Sequence, residues 1–342
     1  MISIESPGRR LIKIGIIVNP MSGRDVRRLA ARASISTHHD KQLQITRLAL
    51  GALEQGVEEI VLVDEPFRIG RRAVENLPEK SRFSFIASPV THSARDTIEI
   101  ARQMKDQQCQ VVIVMGGDGT NRIVARTWPD AFLLPLSTGT NNVFPRLVEP
   151  SVAGAAAGLV ATGKVNPESL FRRCKVIQIR AESFNDIALV DAVMLKGDSL
   201  GSLLPFDAGR ISDLILAISQ PASVGASPIG GYFMPCLEDD DFAVQVRCDT
   251  ESPAYTSRVP ISPGLYQDIG ISTIRKIELE ENITLHGPGI LAFDGDRELE
   301  LDKGASAVLS VARQGPWVLD SNRIMMEAAS KGLFVNKSAA CD

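Results

Sequence analysis

A fully apolar run, Val111–Met115, leads without a spacer into the turn sequence Gly116-Gly117-Asp118-Gly119-Thr120. Strands that are apolar on both faces are typical of the centre of a parallel sheet, because helices cover both faces of such a sheet. In open sheets of this kind, ligands bind beyond the carboxyl ends of the strands. This feature predicts an α/β domain with a ligand site at the turn that follows its central strand.

The rest of the N-terminal part of the chain repeats the same alternation. Short apolar or β-branched runs are separated by stretches that carry apolar residues at helical spacing, the pattern of βαβ units. The predicted strands are Leu11–Val18, Glu59–Val63, Phe83–Ala87 and Ala131–Leu136, and the predicted helices lie within Gln42–Gly56, Phe67–Leu77 and a segment that begins at Ser93. We expect residues 1–149 to form an α/β domain with an open, mostly parallel sheet.

The pattern changes near Pro150. An Ala/Gly-rich helical segment is followed by short alternating or β-branched runs between Gly, Pro and Asp, which favours an antiparallel β domain over residues 150–316. The predicted strand runs are Lys175–Arg180, Ile187–Leu195, Phe242–Cys248, Lys276–Leu279, Ile283–His286, Ile290–Phe293 and Ala307–Val311. Helical spacing returns within Asp320–Phe334, near the end of the chain.

Charge and cysteine content exclude several classes of function. The net charge of −4 comes without a basic face, which argues against binding to nucleic acid. No apolar run is long enough to span a bilayer or to form a secretory signal, so we expect neither integral membrane association nor export. Five cysteines without a CxxC pair fit a reducing compartment, and the expected location is the cytoplasm.

Two more glycine-containing turns follow predicted strands: Asn19-Pro20-Met21-Ser22-Gly23 and Ser137-Thr138-Gly139-Thr140-Asn141-Asn142. Glycine lets the backbone approach a ligand closely, and successive N–H groups in such turns hold phosphate oxygens. Each turn alone is an ordinary βα connection. Three of them at successive strand ends would converge on one crevice, where hydroxyl and amide side chains add neutral donors for phosphate.

Asp118 is out of place in a simple phosphate-binding turn, because a carboxylate repels a bare phosphate. It makes sense as a partner of Mg²⁺ or as the base that takes a proton from an attacking hydroxyl. The glycine fingerprint of dinucleotide-binding Rossmann folds and the P-loop pattern do not fit this sequence.

Several segments together resemble a known superfamily. VMGGDGTNRIV is similar to the GGDGT signature of NAD kinases, diacylglycerol kinases and sphingosine-type lipid kinases. VNPMSG and LPLSTGTNNVFPRL resemble the NPxSG and LPxGTxNDFAR segments of the lipid-kinase branch, and Phe293-Asp294-Gly295-Asp296-Arg297 resembles a DGE-type motif of the second domain. GTNNVFP, VDAVML and SKGLF look closest to ATP-NAD kinase-like proteins of the acetoin-catabolism X type.

The resemblance implies a C-terminal β-sandwich, an active site between the domains, and a final helix, residues 317–342, that packs back on the first domain. It implies ATP as phosphoryl donor with Mg²⁺, while polyphosphate as the donor, NAD as the acceptor and self-association through the β domain stay open. The implied nucleotide-binding residues are Asn19, Ser22, Gly23, Gly116, Gly117, Gly119, Thr120, Gly139, Thr140, Asn141 and Asn142. The implied catalytic residues are Asp118, Asp294 and Asp296, with Asp118 and Asp294 also implied as metal ligands.

The departures from the family pattern concern the acceptor. The Asn-Glu pair that holds NAD in NAD kinases has no clear counterpart, and the Asn-Glu that follows GGDGT in lipid kinases is replaced by Asn121-Arg122. Asp296 stands where the family motif has Glu. Three functions therefore remain open: a kinase acting on NAD or a related soluble metabolite, a lipid kinase, and a nucleotide-binding regulatory protein without turnover.

Overall fold

The computed structural model describes residues 11–23, 36–138, 142–182, 184–202 and 204–335. The first domain is built on six parallel strands in the order β17-β5-β4-β1-β2-β3. They are β1 Lys13–Val18, β2 Glu59–Asp64, β3 Phe83–Ala87, β4 Val111–Gly116, β5 Phe132–Ser137 and β17 Trp317–Val318. The central strands are apolar and buried on both faces, as the sequence predicts. The expected open parallel α/β sheet is confirmed.

Helices cover both faces of this sheet. They are α1 His38–Glu54, α2 Ile69–Val74, α3 Ala94–Asp106, α4 Asp118–Thr127, α5 Pro150–Ala161 and, near the end of the chain, α7 Ser321–Ser330. Helices α1, α5 and α7 share one apolar core with the sheet, and α3 and α4 share the other. Capping side chains fix where several helices begin, such as Thr37 before α1 and Asp320 before α7.

Helix α5 packs on α1 with almost no side chain between them. A Cβ atom on Gly51 would overlap the carbonyl oxygen of Ser151, and one on Gly154 would overlap that of Leu48. The two backbones therefore touch, and only glycine fits at the crossing. The sequence-based division placed this helix in the second domain, but its Ala and Gly residues pack into the core of the first. Helix α7 packs on α5 in turn. The final helix expected over residues 317–342 is shorter, because Trp317–Val318 pairs with β5 as strand β17, and residues 336–342 lie outside the described residues.

The second domain consists of two antiparallel sheets, in agreement with the expected all-β fold. One has the order β11-β12-β10-β9-β8-β14-β15 and the other β13-β16-β6-β7. The strands are β6 Val176–Ala181, β7 Phe184–Ala188, β8 Asp191–Leu195, β9 Ile211–Leu216, β10 Phe242–Cys248, β11 Tyr255–Ser262, β12 Leu265–Glu278, β13 Ile283–His286, β14 Gly289–Phe293, β15 Asp296–Leu301 and β16 Ser306–Ala312. A short helix, α6 Ser227–Gly231, follows β9. Side chains from both sheets interdigitate in one core, and the other face of the seven-stranded sheet packs with helix α6 in a second core.

The chain enters and leaves the β domain at the same place. Arg173, before β6, and Trp317, at the start of β17, form an antiparallel backbone bridge. The Cys174 amide donates to the Pro316 carbonyl at 2.9 Å, and the Gly315 amide donates to the Cys174 carbonyl at 3.1 Å. We call these paired segments, residues 173–174 and 315–317, the connecting ribbon. Within the described residues no helix is long and apolar enough to cross a membrane.

Candidate functional site between the two domains

The site lies at the point where the order of the first sheet reverses. Strands β1 and β4 are neighbours, but the chain continues from β1 toward β3 and from β4 toward β5. A crevice opens at the carboxyl ends of such a strand pair, because the following loops diverge to opposite sides. Here the turns after β1, β4 and β5 line a cavity of about 300 Å³, and the β domain forms its other wall.

Side-chain hydrogen bonds tie the three turns together. Asn19 Nδ2, after β1, donates to Thr120 Oγ1 on α4 at 2.9 Å. Thr138 Oγ1, after β5, donates to Ser22 Oγ at 2.8 Å. Each bond joins residues more than 100 positions apart in the chain. The convergence of the turns expected from the sequence is therefore found among their described residues.

Lys41 stabilises the first turn through hydrogen bonds to its backbone. It lies on α1, is completely buried, and its Nζ donates to the carbonyl oxygens of Asn19, Pro20 and Ser22 at 2.8, 2.9 and 2.7 Å. A buried ammonium requires such partners, since an unpaired one would be very costly to desolvate. Its charge also makes this side of the cavity more favourable for an anion. Sequence reasoning missed Lys41, because a lysine on a helix is ordinarily solvated.

The glycines of the central turn make room for neighbouring functional side chains. A Cβ on Gly116 would lie 2.7 Å from the Thr120 Cβ, and one on Gly117 would lie 3.0 Å from Asn142 Oδ1. A Cβ on Gly119 would lie 2.8 Å from Asp296 Oδ2. Gly116 lies behind the cavity wall, while Gly117 and Gly119 line it. These glycines therefore allow close approach of side chains from the third turn and from the β domain.

Asp118 is the first residue of helix α4 and points toward the third turn. Its carboxylate accepts hydrogen bonds from the backbone amides of Phe144, at 3.0 Å, and Val143. Burial in the cleft, together with the nearby charge of Asp294, raises the pKa of Asp118 from 3.8 to about 7. A carboxyl group with such a pKa exchanges a proton readily at neutral pH, which suits general acid–base chemistry.

Asp294 reaches the cavity on a two-residue hairpin. Asp294 and Gly295 link β14 to β15 with φ angles of 47° and 88°, the left-handed conformation that Asp-Gly hairpin turns require. The Asp294 carboxylate accepts hydrogen bonds from the backbone amides of Leu189, Val190 and Asp191. Burial raises the pKa of Asp294, although Arg122 and these amides oppose the shift. Asp294 therefore fixes the corner where β7 leads into β8.

Asp191 is a site residue that sequence reasoning missed. It begins β8, is 7% exposed, and lines the cavity. Its Oδ1 atom has no hydrogen-bond partner among the described residues. Burial and the neighbouring carboxylates of Asp294 and Asp118 raise its pKa well above the ordinary value. The signal in the sequence was a single acid within the apolar run Ala188–Leu195, since isolated charges are rarely buried without a function.

Four carboxyl groups thus share one cavity: Asp118, Asp191, Asp294 and Asp296. Crowded carboxylates repel one another, and a divalent cation would relieve that repulsion. No group of three or more metal-binding side chains is arranged around a common point in the described residues. Mg²⁺ does not require one, because it is commonly held by one or two carboxylates together with phosphate oxygens and water.

The β domain also supplies an apolar wall of the cavity. The wall consists of Leu204, Pro205, Phe206, Val224, Ala226 and Ile261. Arg297 is the one cationic side chain among the described lining residues, and it is already paired. Its Nε donates to Asp198 at 3.0 Å, and its Nη1 donates to the carbonyls of Ser202 and Leu204. This half of the cavity therefore favours an uncharged or apolar group.

Most of the predicted site residues lie together. Cavity-lining members of the predicted set are Asn19, Ser22, Gly23, Gly117, Asp118, Gly119, Thr120, Asn142, Asp294 and Asp296. Gly139, Thr140 and Asn141 lie outside the described residues, so their expected contribution stays a prediction. The roles of all these residues in binding or catalysis likewise remain predictions.

Comparison with known proteins agrees with this geometry. Residues 14–165 match the family model of the ATP-NAD kinase N-terminal domain, and residues 175–314 match that of the acetoin catabolism protein X C-terminal domain. The chain is also 31% identical over 303 residues to acetoin catabolism protein X from Cupriavidus necator, an alignment that covers 84% of each protein. The chain belongs to the acetoin catabolism protein X family.

Membership of the acetoin catabolism protein X family confirms the resemblance found in the sequence. It joins a kinase-type N-terminal domain to a C-terminal domain that has its own family model. The N-terminal match includes helix α5, in agreement with the packing of that helix on α1. The C-terminal match begins and ends at the connecting ribbon.

Proposed function

We propose that the chain is an ATP-dependent phosphotransferase that transfers the γ-phosphoryl group to a hydroxyl of a small acceptor, either NAD or a related metabolite. One observation carries the proposal. Three turns at the reversal point of a parallel sheet share a cavity with carboxyl groups that the second domain brings in. This combination suits phosphoryl transfer, because backbone amides and hydroxyl groups can hold the phosphate while a carboxylate accepts the proton of the acceptor hydroxyl.

The nucleotide phosphates would lie against the three turns. Ser22, Thr120 and Asn142 offer hydroxyl and amide donors, Asn19 orients Thr120, and Gly23, Gly117 and Gly119 allow the backbone to come close. Gly116 gives Thr120 its space. The proposal also includes Gly139, Thr140 and Asn141 in the third turn.

The carboxyl groups have two proposed tasks, and Asp118 is a candidate for both. Asp118 and Asp294 would hold Mg²⁺, whose charge neutralises the phosphate oxygens during transfer. Asp118, with its pKa near 7, and Asp296, beside Gly119, are the groups placed to accept the proton of the acceptor hydroxyl. Asp191 adds a buried acceptor oxygen with which a hydroxyl of the bound molecule can pair.

The acceptor would lie against the apolar wall of the β domain. That wall suits a ring or another uncharged part of the molecule, and its only described cation, Arg297, is engaged by Asp198. The cavity is at the small end of the range for ligand pockets, roughly 300–1,000 Å³. These features favour a compact hydroxyl compound at least as strongly as a whole dinucleotide.

Binding and turnover test the proposal separately. Calorimetric titration of the full chain with ATP, with and without Mg²⁺, should show magnesium-dependent binding that Gly117→Val abolishes, because the branched side chain would collide with Asn142. Failure of ATP to bind at millimolar concentration would refute the nucleotide site. A matched control is Gly209→Ala, which does not line the cavity and where a Cβ would lie 3.4 Å from Asp207 Oδ1.

Turnover is then measured in two assays. Formation of NADP from NAD and ATP would identify NAD as the acceptor, and release of ADP with a panel of other hydroxyl compounds would identify a different one. Asp118→Asn should bind ATP and lose turnover in either assay. ATP binding without ADP release above the level of this variant, for every acceptor tried, would favour a regulatory protein.

A further inference from the structure

Arg122 lies on helix α4, directly after the central turn, yet its contacts are with the β domain. It is 4% exposed. Its Nη2 donates to Glu298 Oε1 at 2.6 Å and lies 3.8 Å from Asp296 Oδ2, while its Nη1 lies 3.6 Å from Asp186 Oδ2. The guanidinium carbon is also 5.8 Å from the centre of the Phe293 ring. One side chain therefore links the phosphate-binding helix to strands β7, β14 and β15.

This arrangement is a poor device for stability alone. Arg122 Nε and Nη1 make no hydrogen bond to the described residues, so only part of the guanidinium is satisfied. The attraction within a buried ion pair does little more than offset the cost of desolvating its charges. Unsatisfied donors lower the net gain in stability further. A buried arginine that spans three carboxylates in this way needs another reason to be there.

The reason follows from the position of Asp296. Its carboxylate lies against Gly119, which is three residues before Arg122 on the same helix. The hairpin turn alone does not define how far β15 sits from α4, because it belongs entirely to the β domain. Arg122 spans that distance, since its Nη2 contacts both Asp296 and Glu298 on β15.

We propose that Arg122 is a positioning residue, which holds the Asp296 carboxylate beside Gly119 across the boundary between the two domains. The inference rests on the proposed function, because the placement of Asp296 matters for catalysis only if the chain transfers phosphoryl groups. Arg122 itself does not line the cavity and would not touch the substrate.

Three variants test this inference in the full chain. Arg122→Gln removes the charge, Arg122→Lys retains it with a shorter reach, and Arg126→Gln is the matched control. Arg126 lies one turn further along α4, is more exposed, and pairs with Asp186 at 2.9 Å. Its replacement therefore also removes a link between the domains, but not the link to Asp296.

The expected result is a separation of turnover from binding. Arg122→Gln should lower kcat about 100-fold, because a misplacement of about 1 Å costs that much, while Mg²⁺–ATP affinity stays within about threefold. Arg122→Lys should have a kcat about tenfold higher than that of Arg122→Gln. Arg126→Gln should keep the kcat of the unaltered protein. An unchanged kcat in Arg122→Gln, or an equal loss in Arg126→Gln, would overturn the inference.

A second measurement does not depend on activity. Amide hydrogen exchange in residues 296–301 should be faster in Arg122→Gln than in Arg126→Gln, and equal exchange in both would contradict the positioning role. If the unaltered protein shows no turnover, the proposed function fails, but this comparison still decides the role of Arg122. If Arg122→Gln does not fold, Arg122→Gln with Glu298→Gln removes the cation together with its closest anion and serves for both measurements.

Discussion

Asn19 donates a side-chain hydrogen bond to Thr120, which joins the end of strand β1 to the third residue of helix α4. The same Asn19 accepts hydrogen bonds through Oδ1 from the amides of Met21 and Ser22. A single side chain therefore shapes its own turn and connects that turn to the next. Replacement of Asn19 separates these two turns without disturbing the apolar core.

Asn19→Ala should weaken ATP binding by about tenfold, since each lost hydrogen bond is worth roughly 1 kcal/mol and part of the loss falls on the bound state. The unfolding temperature should fall by only a few degrees. Calorimetric titration and thermal unfolding measure the two effects. Asn166→Ala, which removes a bond to the Glu168 amide far from the cavity, is the control and should leave ATP binding unchanged.

Lys41→Met should destabilise the protein and weaken nucleotide binding together. The substitution removes the Lys41 donor from three carbonyl oxygens. That of Asn19 still accepts from Ser22, whereas those of Pro20 and Ser22 lose their donor, and each unsatisfied group costs about 1–3 kcal/mol. We expect the free energy of unfolding to fall by about 2–4 kcal/mol in a denaturant titration. For Lys105→Met, on the exposed side of α3, the free energy of unfolding should fall by less than about 0.5 kcal/mol. Equal losses in both variants would mean that Lys41 does not order the turn.

Asp118→Asn should stabilise the metal-free protein in a pH-dependent way. The Asp118 carboxyl loses its proton near pH 4 in the unfolded chain but near pH 7 in the folded chain. Between these values the folded state binds more protons, so its stability falls as the pH rises. The asparagine variant lacks this loss. The free energy of unfolding of Asp118→Asn should equal that of the unaltered protein at pH 4 and exceed it by about 2–4 kcal/mol at pH 7.5. Denaturant unfolding in the presence of a chelator measures the difference.

Addition of Mg²⁺ at neutral pH should stabilise the unaltered protein more than Asp118→Asn. A metal ion binds carboxylates in their ionised form, so it should stabilise the unaltered protein more at pH 7.5 than at pH 5. Asp118→Asn should gain less from Mg²⁺ at both values. Thermal unfolding over a magnesium titration measures the difference. An identical gain in both proteins would remove Asp118 from the metal site.

Gly119→Ala should reduce turnover although alanine favours helices. In a helix interior alanine is better than glycine by about 0.8–1.0 kcal/mol, but here its Cβ would lie 2.8 Å from Asp296 Oδ2. The carboxylate must move, so kcat should fall about 100-fold with little change in ATP affinity. Steady-state kinetics with the acceptor identified by the turnover assays measure the change, with Gly209→Ala as the control. Full activity in Gly119→Ala would show that the position of Asp296 is not critical.

The sequence predicts the parts of the fold that local pattern controls. Phe242–Cys248 and Ile283–His286 are predicted as strands with the bounds that β10 and β13 have, and the three turns are found at one edge of the sheet. Strand β12, Leu265–Glu278, is recognised only at its end, because its exposed polar side chains hide the pattern. Pairing with β10 and β11, rather than its own sequence, stabilises it.

The site residues that the sequence did not indicate depend on contacts between distant segments. The predicted strand Ile187–Leu195 is wrong as a single element, because the chain turns between β7 and β8 at Leu189 and Val190. The carboxylate that holds this corner comes from Asp294, more than 100 residues away, and no local pattern shows it. Lys41 was missed for the same reason, since its surroundings exist only in the folded protein, whereas Asp191 had one local signal, its position as a single acid within an apolar run.

The connecting ribbon has a consequence for how the protein opens and how it can be altered. Both passages of the chain between the domains run side by side through Arg173 and Trp317. The connecting ribbon is therefore the place where the backbone joins the β domain to the first domain. A rotation of the β domain about the connecting ribbon would widen the cleft, but it would have to break the ion pairs of Arg122 and Arg126 and open the apolar core that the two domains share. The connecting ribbon also shows where the β domain could be exchanged. A short loop from residue 173 to residue 316 would replace it and would leave the order of the strands in the α/β sheet unchanged.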